Sequence, residues 1–470
     1  MDSILKFIYP NRYIDNDGIT QYHLNGVHPA AMQYIKNNMI SSNDLHQIID
    51  KIKADNPNSI WDNFFRHSNF LSYYKKYYGT ENIIDIDEIK DDGSIYIWPI
   101  EVGGTLQDIY TTTNLNVDGN VYNYTLLDTM DERLRSLLKI SKVKILINMI
   151  HDPLTSCEAL YKIEKYFVSM DIDPSNIIIL GGNSLNEYYM RYPDAKLKIT
   201  YGYIMVQQAG DRLEHFPFVS SLGYLSDAVN VNDLNKNDIR PKRFLCWNRT
   251  MRSHRIWLAY LALRYNLLEN GYFSFLNLLG GGKNTIETQI SNLAGRHAGI
   301  IYGKKVYSLI PHDLDTHHLS PEKKIGFPTN NNKKDLYLNS YVHITSETVF
   351  EESFDCPFYS EKTFHPMVNL QPFIYVGCYG ALKLLKEWGI KTFHPFIDES
   401  YDNEKNPLTR FKLIAQEIKK LNGMPIQELH DWYYSITDVL IHNQNVLKQF
   451  SSTNPFANAL ADIKKFYERN

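Results

Sequence analysis

Apolar residues in this chain gather in short continuous runs, separated by longer stretches in which they recur every three or four positions. The run Val143-Lys144-Ile145-Leu146-Ile147-Asn148-Met149-Ile150 has the near-continuous hydrophobicity of a strand buried on both faces. A helical pattern follows from Ser156 to Met170. A second apolar run, Asn176-Ile177-Ile178-Ile179-Leu180, closes at Gly181-Gly182-Asn183. Strand, helix and strand at this spacing form a βαβ unit, which implies a parallel sheet. Upstream, Ser94 to Ile100 reads as a strand ending at Gly103-Gly104. Leu45, Ile48, Ile49 and Ile52 mark a helix between Asn43 and Ala54.

The segment Asn230 to Pro241 is polar, and the βα pattern restarts after it. Strands are expected at Lys242–Trp247, Tyr341–Thr345, Pro372–Val376 and Lys391–Phe393. Helices are expected at Ser253–Leu268, Ser360–Val368, Tyr379–Trp388, 408–421, 425–450 and 454–467, with loops at 280–284 and 328–335. The fold class is therefore α/β, with two successive βα domains and a ligand cleft between them, beyond the carboxyl ends of the strands. The expected division is 1–235, 236–445, and a C-terminal helix in 446–470 that packs back on the first domain.

Composition removes several classes of function. The 49 basic and 53 acidic residues give a net charge of −4, which disfavours a constitutive nucleic-acid binder. Cys157, Cys246, Cys356 and Cys378 are far apart, with no zinc spacing, and read as buried thiols in a reducing compartment. No apolar run is long enough to span a bilayer and no signal peptide is evident, so a cytoplasmic location is expected. The 34 tyrosines, with abundant Asn, Ile and Lys, fit an AT-rich genome. An excess of tyrosine could also line a polar cleft, because the ring packs while the hydroxyl hydrogen-bonds.

Four constellations could carry chemistry. In Asn248-Arg249-Thr250-Met251-Arg252-Ser253-His254-Arg255, three arginines crowd a strand-to-helix turn. Cations at a helix start oppose its dipole, so the arrangement makes sense around an anion, and a diphosphate suits paired guanidinium donors. In Tyr359-Ser360-Glu361-Lys362, the local spacing reads first as a plain helix start capped by Ser360; in the functional reading Glu361 accepts from two sugar hydroxyls and Lys362 faces a phosphate. Glu347 follows a strand end, where ligands bind or a loop acid simply sits. The stretch Phe393 to Asp402 is dense in acids and aromatics and either closes a pocket or is an ordered turn.

Together with Pro372-Phe373-Ile374-Tyr375-Val376-Gly377, the stretch Thr345 to Phe364 resembles the donor-binding segment of α1,3-fucosyltransferase-like glycosyltransferases. That family has a strand ending in a Phe-Glu-Asn-Ser type element, then a Tyr-x-Thr-Glu-Lys helix start. Here Ser346-Glu347-Thr348 stands for the first and Tyr359-Ser360-Glu361-Lys362 for the second. The Asn248 to Arg255 turn is similar to the family's arginine-bearing turn. Ser346 replaces the family's Phe, Thr348 its Asn, and extra residues around Glu351 to Phe354 separate the two elements. Lys391 to Asp402 looks more like glycosyltransferase-like proteins of large DNA phages and viruses. The resemblance covers 240–405.

The resemblance implies a GT-B fold of two facing Rossmann-like domains, with a nucleotide-sugar donor (a GDP-sugar favoured) in the C-terminal domain. A glycan or other hydroxyl acceptor would lie on the N-terminal one. By carry-over Arg255 holds the diphosphate, Lys362 neutralises it, Glu361 binds the ribose and Glu347 contacts the sugar. Arg249, Arg252, Tyr359 and Ser360 complete the donor set. The expected reaction is inverting and uses no cofactor or divalent metal. Its base is a carboxylate of the first domain, Asp152 first and Glu101 second. The pairs Asp171/Asp173 and Asp313/Asp315, the latter near His312, His317 and His318, read as polar loops before metal sites. The location would be the host cytoplasm if the source is viral. Two other readings are a transferase acting on modified DNA bases and a non-catalytic sugar-binding module.

Overall fold

The computed structural model describes residues 4–8, 13–14, 20–21, 78, 81–84, 86–101, 109, 113–117, 120–124, 132–150, 154, 156–183, 187–214, 228–248, 250–275, 277–278, 282–310, 333–351 and 357–468. The chain forms two compact units, one made of Met1–Ile204 with Asn454–Asn470 and the other of Met205–Thr453.

The first unit is built on six parallel strands, β1 (Leu5–Ile8), β2 (Ile83–Ile84), β3 (Ile95–Glu101), β4 (Val143–Met149), β5 (Ile177–Gly181) and β6 (Lys198–Tyr201). Their order is β2-β1-β3-β4-β5-β6. The apolar runs are the central strands, and Ile145, Leu146, Ile147, Ile178 and Ile179 are wholly buried. Helix α1 (Cys157–Ser169) makes the crossover from β4 to β5. Ser156 caps it by accepting the Ala159 N–H at 3.1 Å, and Leu160, Ile163 and Phe167 form its buried face. The last helix, Ala457–Glu468, closes back on this unit, where Asp462 accepts from the Thr200 hydroxyl at 3.0 Å.

The second unit repeats the plan with β7 (Lys242–Cys246), β8 (Gly271–Phe273), β9 (Ser340–Ser346) and β10 (Phe373–Val376), all parallel, in the order β8-β7-β9-β10. Its helices include α2 (Ser253–Arg264), α3 (Gly282–Ala294), α4 (Arg296–Leu309), α5 (Glu361–Val368), α6 (Ala381–Glu387), α7 (Pro407–Gly423), α8 (Ile426–Ser435) and α9 (Thr437–Phe450). Every residue of β9 and β10 is buried. In both sheets the first strand of the unit lies between its second and third. Successive crossovers therefore leave from opposite sides and open a crevice at the carboxyl ends, between β1 and β3 and between β7 and β9. Both units are thus Rossmann-like.

Five local expectations are corrected. The helix from Ser253 ends at Arg264 because Asn266 takes a left-handed conformation, φ 55°, before a separate turn of helix. The expected loops at 280–284 and 328–335 run into helices that begin at Gly282 and Lys333. Lys391–Phe393 joins no sheet: Asn443 of α9 bonds both the N–H and C=O of Lys391 at 2.8 Å, and Glu399 takes the Phe393 N–H at 2.6 Å. These side chains supply what a neighbouring strand would have supplied. The long helix 425–450 is two helices that meet at Ile436.

Candidate functional site

The crevice between β7 and β9 is organised around Glu347, which follows directly on β9 and is wholly buried. Its Oε2 accepts the Thr348 N–H at 2.9 Å and the Ser360 hydroxyl at 2.7 Å. Its Oε1 accepts the Ser360 N–H at 3.2 Å and the Thr363 hydroxyl. A carboxylate has about four lone-pair sites, so this one is saturated by protein donors. The result is a lock between the end of β9 and the start of α5. Ser360 caps that helix, and its oxygen also receives the Lys362 N–H and ammonium, at 3.3 and 3.2 Å.

The Glu347 carbonyl faces the other wall of the crevice. It accepts from His254 Nε2 at 2.9 Å and from Arg255 Nη2 at 2.8 Å. A carbonyl only accepts, so the His254 proton is on Nε2. Burial pushes the His254 pKa well below its ordinary value, and the Arg255 charge pushes the same way, so the ring is neutral. Arg255 is 3% exposed and donates to the Ser346 hydroxyl and carbonyl, the Thr250 carbonyl and the Glu347 carbonyl. Burial lowers its pKa to about 10, with Arg252 pushing the same way, and it stays protonated at neutral pH.

No described carboxylate forms an ion pair with Arg255 or Arg252; their hydrogen bonds go to carbonyl and hydroxyl oxygens, while the carboxylates of Glu347 and Glu361 act on Arg255 only through their field. Arg252 is exposed, donates to the Thr348 carbonyl at 2.5 Å, and occupies the cap position of α2 without a side-chain cap bond. The first N–H groups of α2 therefore keep their affinity for an anion. Lys362 pairs with Glu361 at 2.7 Å, and both side chains remain partly exposed. Burial would raise the Glu361 pKa, but Lys362 and then His365 outweigh it and hold the carboxyl at about 2. Glu361 is thus an ionised acceptor beside a cation.

The sequence-derived site residues divide. Arg252, Arg255, Glu347, Ser360, Glu361 and Lys362 come together at one strand edge. Three of the donor expectations need correcting: Arg255 spends its buried guanidinium on protein oxygens and does not reach out to hold a diphosphate, and Glu347 and Tyr359 face inward and have no exposed edge for a ligand. Glu347 is saturated, and Tyr359 lies against Phe364, Tyr375 and Trp388 with its hydroxyl on the Ala381 carbonyl. Both support the crevice from behind. Tyr375 and Tyr401 are likewise core residues, while Tyr379 is half-buried with Lys405 over its ring. Arg249, Asp152, Asp313, Asp315, His312, His317 and His318 lie outside the described residues. Glu101 ends β3 in register with Asn148, beside the crevice of the first sheet. Asn148 is buried there with its Nδ2 lacking a hydrogen-bond partner among the described residues.

Among the described residues no group of His, Cys, Asp and Glu could hold a metal ion. Asp173 accepts the Ser175 N–H at 3.0 Å and caps a short helix, which is the turn chemistry its sequence suggested. The stretch Phe393 to Asp402 is an ordered turn: Glu399 holds Thr392, Phe393 and Lys386, and Asp402 caps α6 through the Leu382 and Lys383 N–H groups. Sequence reasoning missed Arg410. It is 1% exposed and donates to the Phe350, Gly377, Glu404 and Lys405 carbonyls, so its buried guanidinium ties together the segments beyond β9 and β10. Its signal was an arginine on the apolar face shared with Phe411, Ile414 and Ile418.

No family model matches the chain, and no curated protein is similar to it. The crystal structure of a glycosyltransferase from Rickettsia africae ESF-5 is similar over 80% of this chain and 92% of that chain. The identity is 15% and the TM-score 0.32, a likeness that assigns neither activity nor substrate to this chain.

Proposed function

We propose that the chain is a glycosyltransferase that takes a sugar from a nucleotide-diphosphate sugar, with a GDP-sugar favoured, and passes it to a hydroxyl of a glycan or other acceptor. The observation that carries this reading is the gathering of Arg252, Arg255 and Lys362 at the switch point of the second sheet, three cations against the two carboxylates Glu347 and Glu361. Arg252 and Arg255 are bonded to the carbonyls of Thr348 and Glu347, and Lys362 reaches the same residue through Ser360. Three cations and an uncapped helix start form a ready cradle for a diphosphate. The order of motifs that resembles the fucosyltransferase-like donor segment agrees with it.

Glycosyl transfer breaks the bond between the anomeric carbon and a phosphate oxygen, and negative charge grows on the departing diphosphate. Fixed cations lower the barrier because they are already oriented when that charge develops. Arg252 and Lys362 reach solvent and would touch phosphate oxygens, as Arg249 would. Arg255, buried behind them, would act mainly through its field. These cations would do a divalent metal's work in a metal-independent reaction. Ionised Glu361, flanked by Ser360 and Lys362, would accept from ribose hydroxyls.

The second requirement is a base for the acceptor hydroxyl. Asp152 and Glu101 are the candidates, and inversion would follow from a single in-line displacement. A general base contributes about 10²–10⁴-fold.

Release of nucleotide from a panel of donors is the direct test. Lys362→Ala and Arg252→Ala should each lower kcat/KM by roughly 10²–10³-fold, the usual loss for one preorganised charge-stabilising donor. Full activity in both variants would sink the site assignment.

A further inference from the structure

Helix α4, Arg296–Leu309, has one covered side and one exposed side. One side of it is covered: Gly299, Gly303 and Val306 are buried, and a side chain at Gly299 or Gly303 would collide with Ser291 or Glu287 of α3. The other side presents two adjacent ridges at helical spacing. Arg296, Ile300, Lys304 and Tyr307 form one, and His297, Ile301, Lys305 and Ser308 the other, all exposed. Ile300 is 61% exposed, Ile301 40% and Tyr307 43%, so three large apolar side chains stand in water on a single helix.

The charge on this face is one-sided. The helix contains Arg296, Lys304 and Lys305 and no acid, within a protein whose net charge is −4. On the neighbouring α3 the one acid is Glu287, which pairs with Lys283 at 3.3 Å. Among the described residues no carboxylate forms an ion pair with Arg296, Lys304 or Lys305. Apolar side chains interleaved with long cations suit a lipid headgroup boundary. There the isoleucines and tyrosine enter the acyl margin, and the lysine stems lie along it with their ammonium groups at phosphate level. A nucleic acid would use the lysines but give Ile300 and Ile301 nothing to bury against. Another protein surface would have to be acidic and apolar at once.

We propose that α4 docks this protein on an anionic membrane surface, peripherally and reversibly. No helix among the described residues is long and apolar enough to cross a membrane, so the contact is with one leaflet. The proposal is independent of the donor site and would hold for a protein of another activity.

Vesicle flotation of the full chain tests it, with vesicles of phosphatidylcholine alone and vesicles in which about a third of the lipid is phosphatidylglycerol. The chain should float with the anionic vesicles and stay behind with the neutral ones. Lys304→Ser with Lys305→Ser should lower the partition coefficient about 25-fold at low salt, near fivefold per cation. Ile300→Ser with Ile301→Ser should lower it about tenfold or more. All four side chains are exposed, so both variants should melt with the native protein. Equal flotation with both lipids, or unchanged flotation of either variant, overturns the proposal. So does absence of vesicle binding combined with duplex-DNA retention lost in the lysine variant. A dimer dissolved by the isoleucine variant, without vesicle binding, would assign the face to a second copy instead.

Discussion

Glu347→Gln is nearly isosteric, yet the hydrogen-bond inventory around it makes the change costly. Each carboxylate oxygen serves one backbone N–H and one hydroxyl: Ser360 N–H and Thr363 on Oε1, Thr348 N–H and Ser360 on Oε2. Glutamine keeps one oxygen and replaces the other with an NH2 donor. A hydroxyl can rotate to accept from that NH2, but a backbone N–H cannot. Either orientation of the amide therefore leaves one buried N–H facing a donor. With the NH2 at the Oε2 position, the Ser360 hydroxyl also loses its acceptor while Lys362 still donates to it. One orphaned buried group costs about 1–3 kcal/mol, and losing the charge on the remaining bonds adds about 1 kcal/mol. A total near 2–4 kcal/mol corresponds to a fall in Tm of about 4–16 °C for a unit of this size. Calorimetric melting of the second unit's transition reads it directly, and Thr363→Val combined with Glu347→Gln should cost less than the sum. A Tm within a degree of the native value would refute the saturated-carboxylate account.

Two further outcomes follow from other parts of the fold. The folded pKa of Glu361 is depressed from 4.5 to about 2, so its ionised form stabilises the folded state above about pH 4.5, and that contribution is lost as pH falls through 2. Glu361→Gln should therefore flatten the acid limb of the stability profile between those values in urea titrations, and parallel curves would contradict it. Gly210 of the helix Ile204–Glu214 meets α9 so closely that an added Cβ would lie 2.3 Å from the Leu447 carbonyl oxygen and 2.7 Å from the Ser451 nitrogen. Gly210→Ala should lower Tm by overpacking, about 1–3 kcal/mol, although alanine is the better helix former. A rise in Tm would show that the two helices can part at little cost.

What the sequence disclosed depended on range. Val143–Ile150 and Asn176–Leu180 were legible as parallel-sheet strands because burial on both faces removes alternation, and that pattern is local. Ser156, Ser360 and the helix starts they cap were legible for the same reason. Lys391–Phe393 misled because its place after a helix in the βα alternation fits a strand, whereas Asn443, 52 positions away, supplies the hydrogen bonds. The cationic turn was visible as a cluster of arginines, but their division of labour was not. Burial of Arg255 and exposure of Arg252 depend on strand β9, about ninety residues later. Glu347 was visible as an acid at a strand end, yet the Ser360 and Thr363 donors that turn it inward belong to another element. The tyrosine excess likewise resolved into packing, with Tyr359, Tyr375 and Tyr401 in the core.

Isothermal titration of the full chain with GDP, UDP and CDP tests the central claim most directly, because it asks whether the cationic crevice binds a nucleoside diphosphate at all. The account predicts saturable one-to-one binding of at least one of them, weakening with salt, with Kd raised about tenfold or more by Lys362→Ala and by Arg252→Ala. Absence of binding by all three, or binding indifferent to both substitutions, would contradict it.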